Sequence, residues 1–293
     1  MHLAKLKLRD FRNFRRLDVA FEPGFHVLLG RNAQGKTNLL EAVYLLATLR
    51  SFRGVGNAQI IRHEQRAFFA GGLALGQAES DIRYYWSAAQ RKLTVNEKPI
   101  RRVADYLGAL RTVVFCTEDS LLVNGPTKSR RRFLDLLLTQ TRPGSLELLP
   151  RIDYAPSVRE DFAVDLAKSR AREQRYRTTL VGPHRDELKL TLDGQPAAQY
   201  ASEGQKRTFA IALKMAQADY LGGIHGSPPI LLIDDVMGEL DASRRAGLVP
   251  LISRVGQALG QVFMTCTEEN WPGELTGNLH RWQIDQGAVS RKQ

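Results

Sequence analysis

In the stretch GRNAQGKTNLLEA, Gly30 to Ala42, two glycines are followed by a lysine, a threonine and an apolar run. Gly30, Gly35, Lys36 and Thr37 occupy the fixed positions of a phosphate-binding loop. Glycines let backbone N–H groups curl around phosphate oxygens, the lysine ammonium reaches the β and γ phosphates, and the threonine hydroxyl ligates Mg²⁺. Arg31, Asn32, Ala33, Gln34 and Asn38 belong to the same loop, so ATP and Mg²⁺ are the expected ligands. A second signal is ILLIDD, Ile230 to Asp235, an apolar strand that ends in two carboxylates. There Asp234 is placed to hold Mg²⁺, usually through a water, and Asp235 to face the attacking water as base or polariser. The third is ASEGQKRTFAIALKMAQ, where Ser202 caps a helix whose first turn carries Gly204 and Gln205. Its free N–H groups and positive dipole end suit a γ-phosphate.

These residues need strands and helices to hold them. Leu6 and Leu8 alternate with Lys5 and Lys7, Leu17, Val19 and Phe21 alternate again, and FHVLL is fully apolar, so three strands precede the loop. After it, Leu39, Leu40, Val43, Leu46 and Ala47 fall at the three- and four-residue spacings of an amphipathic helix, the setting that makes a helix start an anion site. AFFAGGLAL, DIRYYW and KLTV, with NEKP as a turn, predict an antiparallel sheet flanking the nucleotide core. RTVVF predicts another buried strand. The basic run after NGP leads into an apolar helix from Phe133 to Leu138, TQTRPGSLELLPRIDYAPS breaks helical periodicity as a connector, and Arg159 to Arg177 reads as a charged helix. The last third predicts the strand KLTL with the turn DGQP, a helix from Glu203 to Leu221, the strand PPILLIDD, a helix near Ala242 to Val255 and the strand QVFMTC. Strands alternating with helices after a glycine loop imply a mainly parallel sheet.

The 293 residues, 43% of them hydrophobic, suffice for one large or two moderate domains. Cys116 and Cys266 lie far apart without C-x-x-C spacing, which argues against zinc or a disulfide framework and for reduced thiols in the cytoplasm. No apolar run approaches a membrane span, and the alternating N-terminus does not read as a signal peptide. The formal charge of +11 favours a polyanion partner.

A phosphate-binding loop near the N-terminus, a Ser-x-Gly-Gln helix start much later, then a double-acid strand and GELD is the order of an ABC-type ATPase. The segments LRDFRNFRRLDVAFEPGFHVLLGRNAQGKTNLLEAVYLLATLRSFR, TEDSLLVNGPTKSRRRFLDLLL, TLVGPHRDEL, SEGQKRTFAIALKMAQ and LLIDDVMGELDASRR together resemble the RecF family of SMC-type ATPases. Transporter ATPases do not share GPHRDEL. The resemblance implies an α/β ABC-type P-loop ATPase head with a mainly parallel core sheet, a flanking antiparallel sheet and a reduced helical subdomain. Residues 1–125 and 179–293 would form the two halves of the head and 126–178 the remnant of a helical arm. It implies slow, DNA-dependent ATP hydrolysis and an ATP-dependent homodimer on double-stranded DNA and single-strand/double-strand junctions, assisting RecA loading at gaps with RecO and RecR. In that arrangement Ser202 reaches the nucleotide of the second chain, Glu118 falls near the Q-loop position and Asp241 in GELD matches the D-loop.

Three departures accompany the likeness. MTCTEEN replaces a switch histidine, leaving Thr265 or Thr267 to sense the γ-phosphate. An Asp at 235 stands where related ATPases carry a Glu. Thr141 passes almost directly through Pro143 to SLELLP, where several tens of residues of arm are expected. Candidate DNA contacts are Arg53, Arg130, Arg131 and Arg132, directed at the backbone because no helix-turn-helix or zinc-finger pattern is present. The alternatives are a transporter ATPase subunit and a non-hydrolysing ATP-gated clamp.

Overall fold

The computed structural model describes residues 1–139, 152–158, 161–182, 185–192, 194–236, 249–250, 252–255, 260–266 and 278–292. The chain falls into two compact units, the first from Met1–Glu118, Thr139–Thr141 and Leu213–Gln293, the second from Asp119–Leu138 and Arg142–Ala212.

In the first unit, β1 (His2–Phe11), β2 (Phe14–Ala20) and β3 (Gly24–Leu29) lead to α1 (Lys36–Thr48). Then come β4 (Ala67–Leu75), β5 (Glu79–Ser87), β6 (Arg91–Val95), β7 (Lys98–Pro99) and β8 (Thr112–Phe115). The second unit contributes α2 (Leu121–Asn124), α3 (Thr127–Thr139), β9 (Ile152–Ala155), α4 (Phe162–Tyr176), β10 (Glu187–Leu192), β11 (Gln195–Pro196) and α5 (Ala197–Tyr200). The long α6 (Glu203–His225) carries the chain back to β12 (Ile230–Ile233), β13 (Gln261–Cys266), β14 (Leu279–Asp285) and β15 (Ala288–Lys292).

One sheet has the order β15-β14-β3-β13-β12-β8, parallel from β14 to β8 with β15 antiparallel at its edge. Every residue of β3, β8, β12 and β13 is buried, as strands covered on both faces require. The other large sheet, β2-β1-β4-β5-β6-β7, is antiparallel throughout and alternates buried with exposed positions. Asn96 and Glu97 both take positive φ between β6 and β7, the backbone a two-residue hairpin turn demands.

α1 packs on both sheets, touching β1 and β4 of one and β8 and β13 of the other. It is consequently buried almost all round, Lys36, Glu41 and Thr48 included, rather than along the single stripe its apolar spacing suggests. α3 begins at Thr127, so Lys128 and Arg130 to Arg132 lie within the helix and not ahead of it. β9 lies inside the stretch read as a connector, paired with β10, and the hairpin of β14 and β15 has no counterpart in the sequence reading. Of the helix expected near 242–255, residues 249–250 and 252–255 are described and are helical. Asp241 and Thr267 lie outside the described residues. Among the described residues no helix is long and apolar enough to cross a membrane.

Candidate active site

The parallel strands end at one edge of their sheet, and there the predicted chemistry collects. β3 delivers the loop Gly30 to Gly35, β12 delivers Asp234 and Asp235, and β13 delivers Thr265. Ligands of open α/β sheets bind at this carboxyl edge. Gly35 holds φ 116 as the residue before α1, and a Cβ there would lie 2.6 Å from the side-chain nitrogen of Asn13. Gly30, at φ 153, has no room for one beside the Ile284 carbonyl. Both positions therefore exclude a side chain by conformation and by space.

Four polar groups make a connected chain. Thr37 Oγ1 donates to Asp234 Oδ1 at 2.8 Å, Thr265 Oγ1 donates to the same oxygen at 3.0 Å, and the Asp235 N–H donates to Thr265 Oγ1 at 2.9 Å. Burial pushes the Asp234 carboxyl above the usual carboxylate range against the pull of these two hydroxyls. Asp235 is exposed and takes φ 55, a left-handed conformation that Asp, like Asn, adopts more readily than most residues with a side chain. The strand end thus turns sharply, placing one acid in the hydroxyl pair and the next toward solvent.

Lys36 Nζ donates to the Gly30 carbonyl and, at 2.9 Å, to that of Arg31. Burial lowers the pKa of the Lys36 ammonium, and Asp235 and Asp234 partly restore it. The ammonium therefore sits inside the loop's own curl. Arg31, Asn32 and Ala33 are exposed around it.

Supports that the sequence reading missed hold the loop from both ends of the chain. Asn13, in the turn between β1 and β2, donates to the Gln34 carbonyl at 2.7 Å and accepts from Asn38 at 2.8 Å. From the hairpin of β14 and β15, the Gln286 N–H donates to Gln34 Oε1 at 2.7 Å and the Gly287 N–H to the Gln34 carbonyl at 3.1 Å. Arg12 clasps the fully buried Glu41 of α1 through two hydrogen bonds of 2.7 Å, and Ser51 donates to the same carboxylate. A polar residue in a tight turn is the only local signal Asn13 gives.

Arg53, expected on a DNA-facing surface, instead reaches Asn38 Oδ1 at 3.0 Å and Glu41 at 3.8 Å, and its charge lowers the pKa of Asp234. It stands at the nucleotide loop. In the second unit, Arg130 donates to Glu187 at 2.8 Å and 3.3 Å and to the Gly125 carbonyl at 3.1 Å. Burial alone would raise the Glu187 carboxyl, but hydrogen bonds from Arg130 and Thr127 outweigh it and hold the pKa below the ordinary range. Arg131 donates to the carbonyls of Asp186 at 2.7 Å and Arg185 at 3.0 Å. The SRRR run and GPHRDEL are thus bonded to each other, and both guanidiniums are taken up inside the unit. Arg132 lies on α3; its side chain is outside the described residues. Glu118 is exposed in the short turn after β8, at the same sheet edge as Asp234.

Ser202 and Gln205 form a reciprocal cap at the start of α6. Ser202 Oγ accepts from the Gln205 N–H at 3.2 Å, Gln205 Oε1 accepts from the Ser202 N–H at 2.8 Å, and both residues are exposed. Gly204 follows in the first turn.

Thr37 and Asp234 present two oxygens beside a helix start, the hard-donor pairing that suits Mg²⁺. When bound there, the ion would neutralise charge developing on the phosphates. Among the described residues no cluster of three or more His, Cys, Asp or Glu offers another metal site.

The family model for the RecF/RecN/SMC N-terminal domain matches residues 2–279. A DNA replication and repair protein RecF from Halalkalibacterium halodurans is 31% identical over 374 aligned positions that take in all of this chain and all of the relative. With 293 residues here, 81 of those positions face none of this chain. The RecF of Lactobacillus delbrueckii subsp. bulgaricus is 33% identical, covering 100% of this chain and 98% of the relative. A solved structure described as the recombination mediator protein RecF-ATPrS in the RecFOR pathway superposes with a TM-score of 0.82 at 26% identity, covering 99% and 98% of the two chains. An SMC head domain from Thermotoga maritima shares the fold, with a TM-score of 0.52 at 16% identity over 100% and 98%.

Proposed function

The chain belongs to the RecF family of RecF/RecN/SMC N-terminal-domain proteins, and from that membership we propose that it is an ATP-switched DNA-binding ATPase of recombinational repair and replication. The observation that carries the reading is the chain of bonds from Thr37 through Asp234 and Thr265 to Asp235 beside the phosphate-binding loop. ATP binds with its phosphates in the Gly30 to Thr37 curl, Lys36 leaving its carbonyl partners for the β and γ phosphates, and Thr37 and Asp234 holding Mg²⁺. Asp235, exposed beyond the hydroxyl pair, polarises the attacking water, and Thr265 takes the place of a switch histidine. A hydroxyl is a poor base and Asp235 is one methylene short of Glu, so turnover is slow.

Ser202, on its exposed and capped helix start, serves the nucleotide of a second chain, so that two ATP molecules close a homodimer. Asp241 is assigned to the same nucleotide by its match to the D-loop alone. The closed form grips double-stranded DNA at single-strand gaps and, with RecO and RecR, assists RecA loading in the cytoplasm. The +11 charge supports a polyanion partner. Anisotropy of a short labelled duplex, with Mg²⁺-ATP and with Mg²⁺-ADP at two salt concentrations, tests this. Tighter binding with ATP, lost in Lys36→Ala and in Ser202→Arg, is expected; equal binding with both nucleotides overturns the switch.

A second reading, an ATP-gated clamp in which hydrolysis plays no part, is favoured by the short Asp235 side chain. Equal phosphate release from wild type and Asp235→Asn would select it.

A further inference from the structure

The hairpin of β14 and β15 closes on two residues: Asp285 pairs with Ala288, and between them Gln286 takes φ 46 and Gly287 φ 81. Two successive positive φ values make the tight turn whose twist matches the strands it joins. The N–H groups of its two central residues lie outside the ladder and need acceptors elsewhere. Both find them on one residue of the phosphate-binding loop. The Gln286 N–H donates to Gln34 Oε1 at 2.7 Å and the Gly287 N–H to the Gln34 carbonyl at 3.1 Å, a carbonyl that also accepts from Asn13 Nδ2 at 2.7 Å.

Orientation follows from these bonds. A trans peptide is planar, with its C=O and N–H pointing in opposite directions. Holding the Gln34 carbonyl toward Asn13 and Gly287 therefore turns the Gly35 N–H away from them, into the curl where Lys36 Nζ lies against the Gly30 and Arg31 carbonyls. The loop's own residues do not select this arrangement. Gly35 sits at φ 116, and half a rotation of the Gln34–Gly35 peptide would carry it to a negative φ that glycine accepts as readily. Ala33 takes φ 65, which an L-alanine disfavours. Space enforces what the bonds hold: a Cβ at Gly35 would lie 2.6 Å from Asn13 Nδ2, and one at Gly287 2.6 Å from the Asn13 carbonyl oxygen. One asparagine is thus seated between two glycines, one near each end of the chain.

We propose that the Gln286–Gly287 turn is a positioning element of the ATP site, which together with Asn13 fixes the Gln34–Gly35 peptide so that the Gly35 N–H is aimed at a phosphate before the nucleotide arrives. The turn touches no reacting atom and acts only through Gln34. What it favours is the polyphosphate and not the base, because the one group it orients is a backbone N–H inside the phosphate curl. A donor fixed in advance loses no conformational freedom on binding, which is the source of its gain in affinity. This role rests on the reading that Gly30 to Thr37 holds the phosphates.

Steady-state kinetics of two variants is the test. Gly287→Ala drives a methyl group against the Asn13 carbonyl and should raise KM for Mg²⁺-ATP about tenfold, the worth of one hydrogen bond to a charged acceptor. Its kcat should stay within about twofold of wild type, because the peptide is set alike in ground and transition states. Asn13→Ala adds no atoms, so the turn keeps its shape, and it should show the same split. Inorganic pyrophosphate, which has neither base nor ribose, should displace a fluorescent ADP from both variants about tenfold less well. The double variant should lose little more than either single one, since both act on one carbonyl. Loss confined to kcat, undiminished pyrophosphate affinity, or full additivity in the double variant overturns the role. Lys36→Ala separates it from the reading beneath it. If Lys36→Ala still binds ATP as wild type does, the loop is not the phosphate site and both fall; if it loses ATP while Gly287→Ala and Asn13→Ala bind normally, the turn alone is dismissed.

Discussion

Thr265 serves both acids at once, as donor to Asp234 and as acceptor from the Asp235 backbone. Thr265→Val keeps the shape and removes both bonds. ATP turnover should fall about tenfold or more, and stability by ~1–3 kcal/mol for the N–H left without its partner. Phosphate-release rates and urea melts measure the two effects, with Thr265→Ser close to wild type in each. His26 offers a different lever. Its Nδ1 accepts from Trp282 at 2.9 Å, so Nε2 carries the proton donated to the Glu22 carbonyl at 2.7 Å, and the ring is neutral. Burial pushes its pKa down to about 3 from 6.5. Between those values the unfolded chain binds a proton that the folded chain refuses. The stabilisation is full above pH 6.5 and is lost as the pH falls toward 3, by up to ~1.4 kcal/mol per unit from this one ring. Urea midpoints at pH 7.5 and pH 5 should differ accordingly, and His26→Phe should flatten the difference.

At the scale of elements, the turn between β1 and β2 acts on α1 through two neighbours. Asn13→Ala removes the bonds to Gln34 and Asn38, and should weaken ATP binding about tenfold in titrations with a fluorescent nucleotide, at ~1–2 kcal/mol for the two. Glu41→Ala leaves the Arg12 guanidinium without its buried partner and should cost ~3–5 kcal/mol of unfolding free energy by denaturant melt. Neither residue announced itself. The loop and the strand ends were legible because glycine spacing and apolar runs are local signals, and local chemistry dictates the backbone there. Asn13, Gln286 and the Arg12–Glu41 pair act through partners distant in the chain, which spacing within a segment does not reveal. Similarly, Arg130 and Arg131 of α3 read as candidate DNA contacts, whereas their acceptors, Glu187 and the carbonyls of Arg185 and Asp186, are supplied by a segment far along the sequence. The short β9 and the hairpin of β14 and β15 carry mixed residues that pair only once their sheets exist.

At the scale of the molecule, the phosphate-binding loop is encoded near the beginning, yet its strand is flanked by strands from the end. β3 pairs with β13 on one side and β14 on the other, and the loop itself is pinned by Gln286 and Gly287. Such distant pairings close slowly, since the connecting chain must be ordered before they repay it. A polypeptide halted on the ribosome before Gln261 therefore carries the whole nucleotide motif without either neighbouring strand. ATP should protect it from protease no better than ADP or buffer does, whereas the released chain should be protected. Synthesis of the segment from Gln261 to Gly287 is then the event that turns a nascent chain into one able to respond to ATP, and a copy halted short of it has no competent loop with which to be switched.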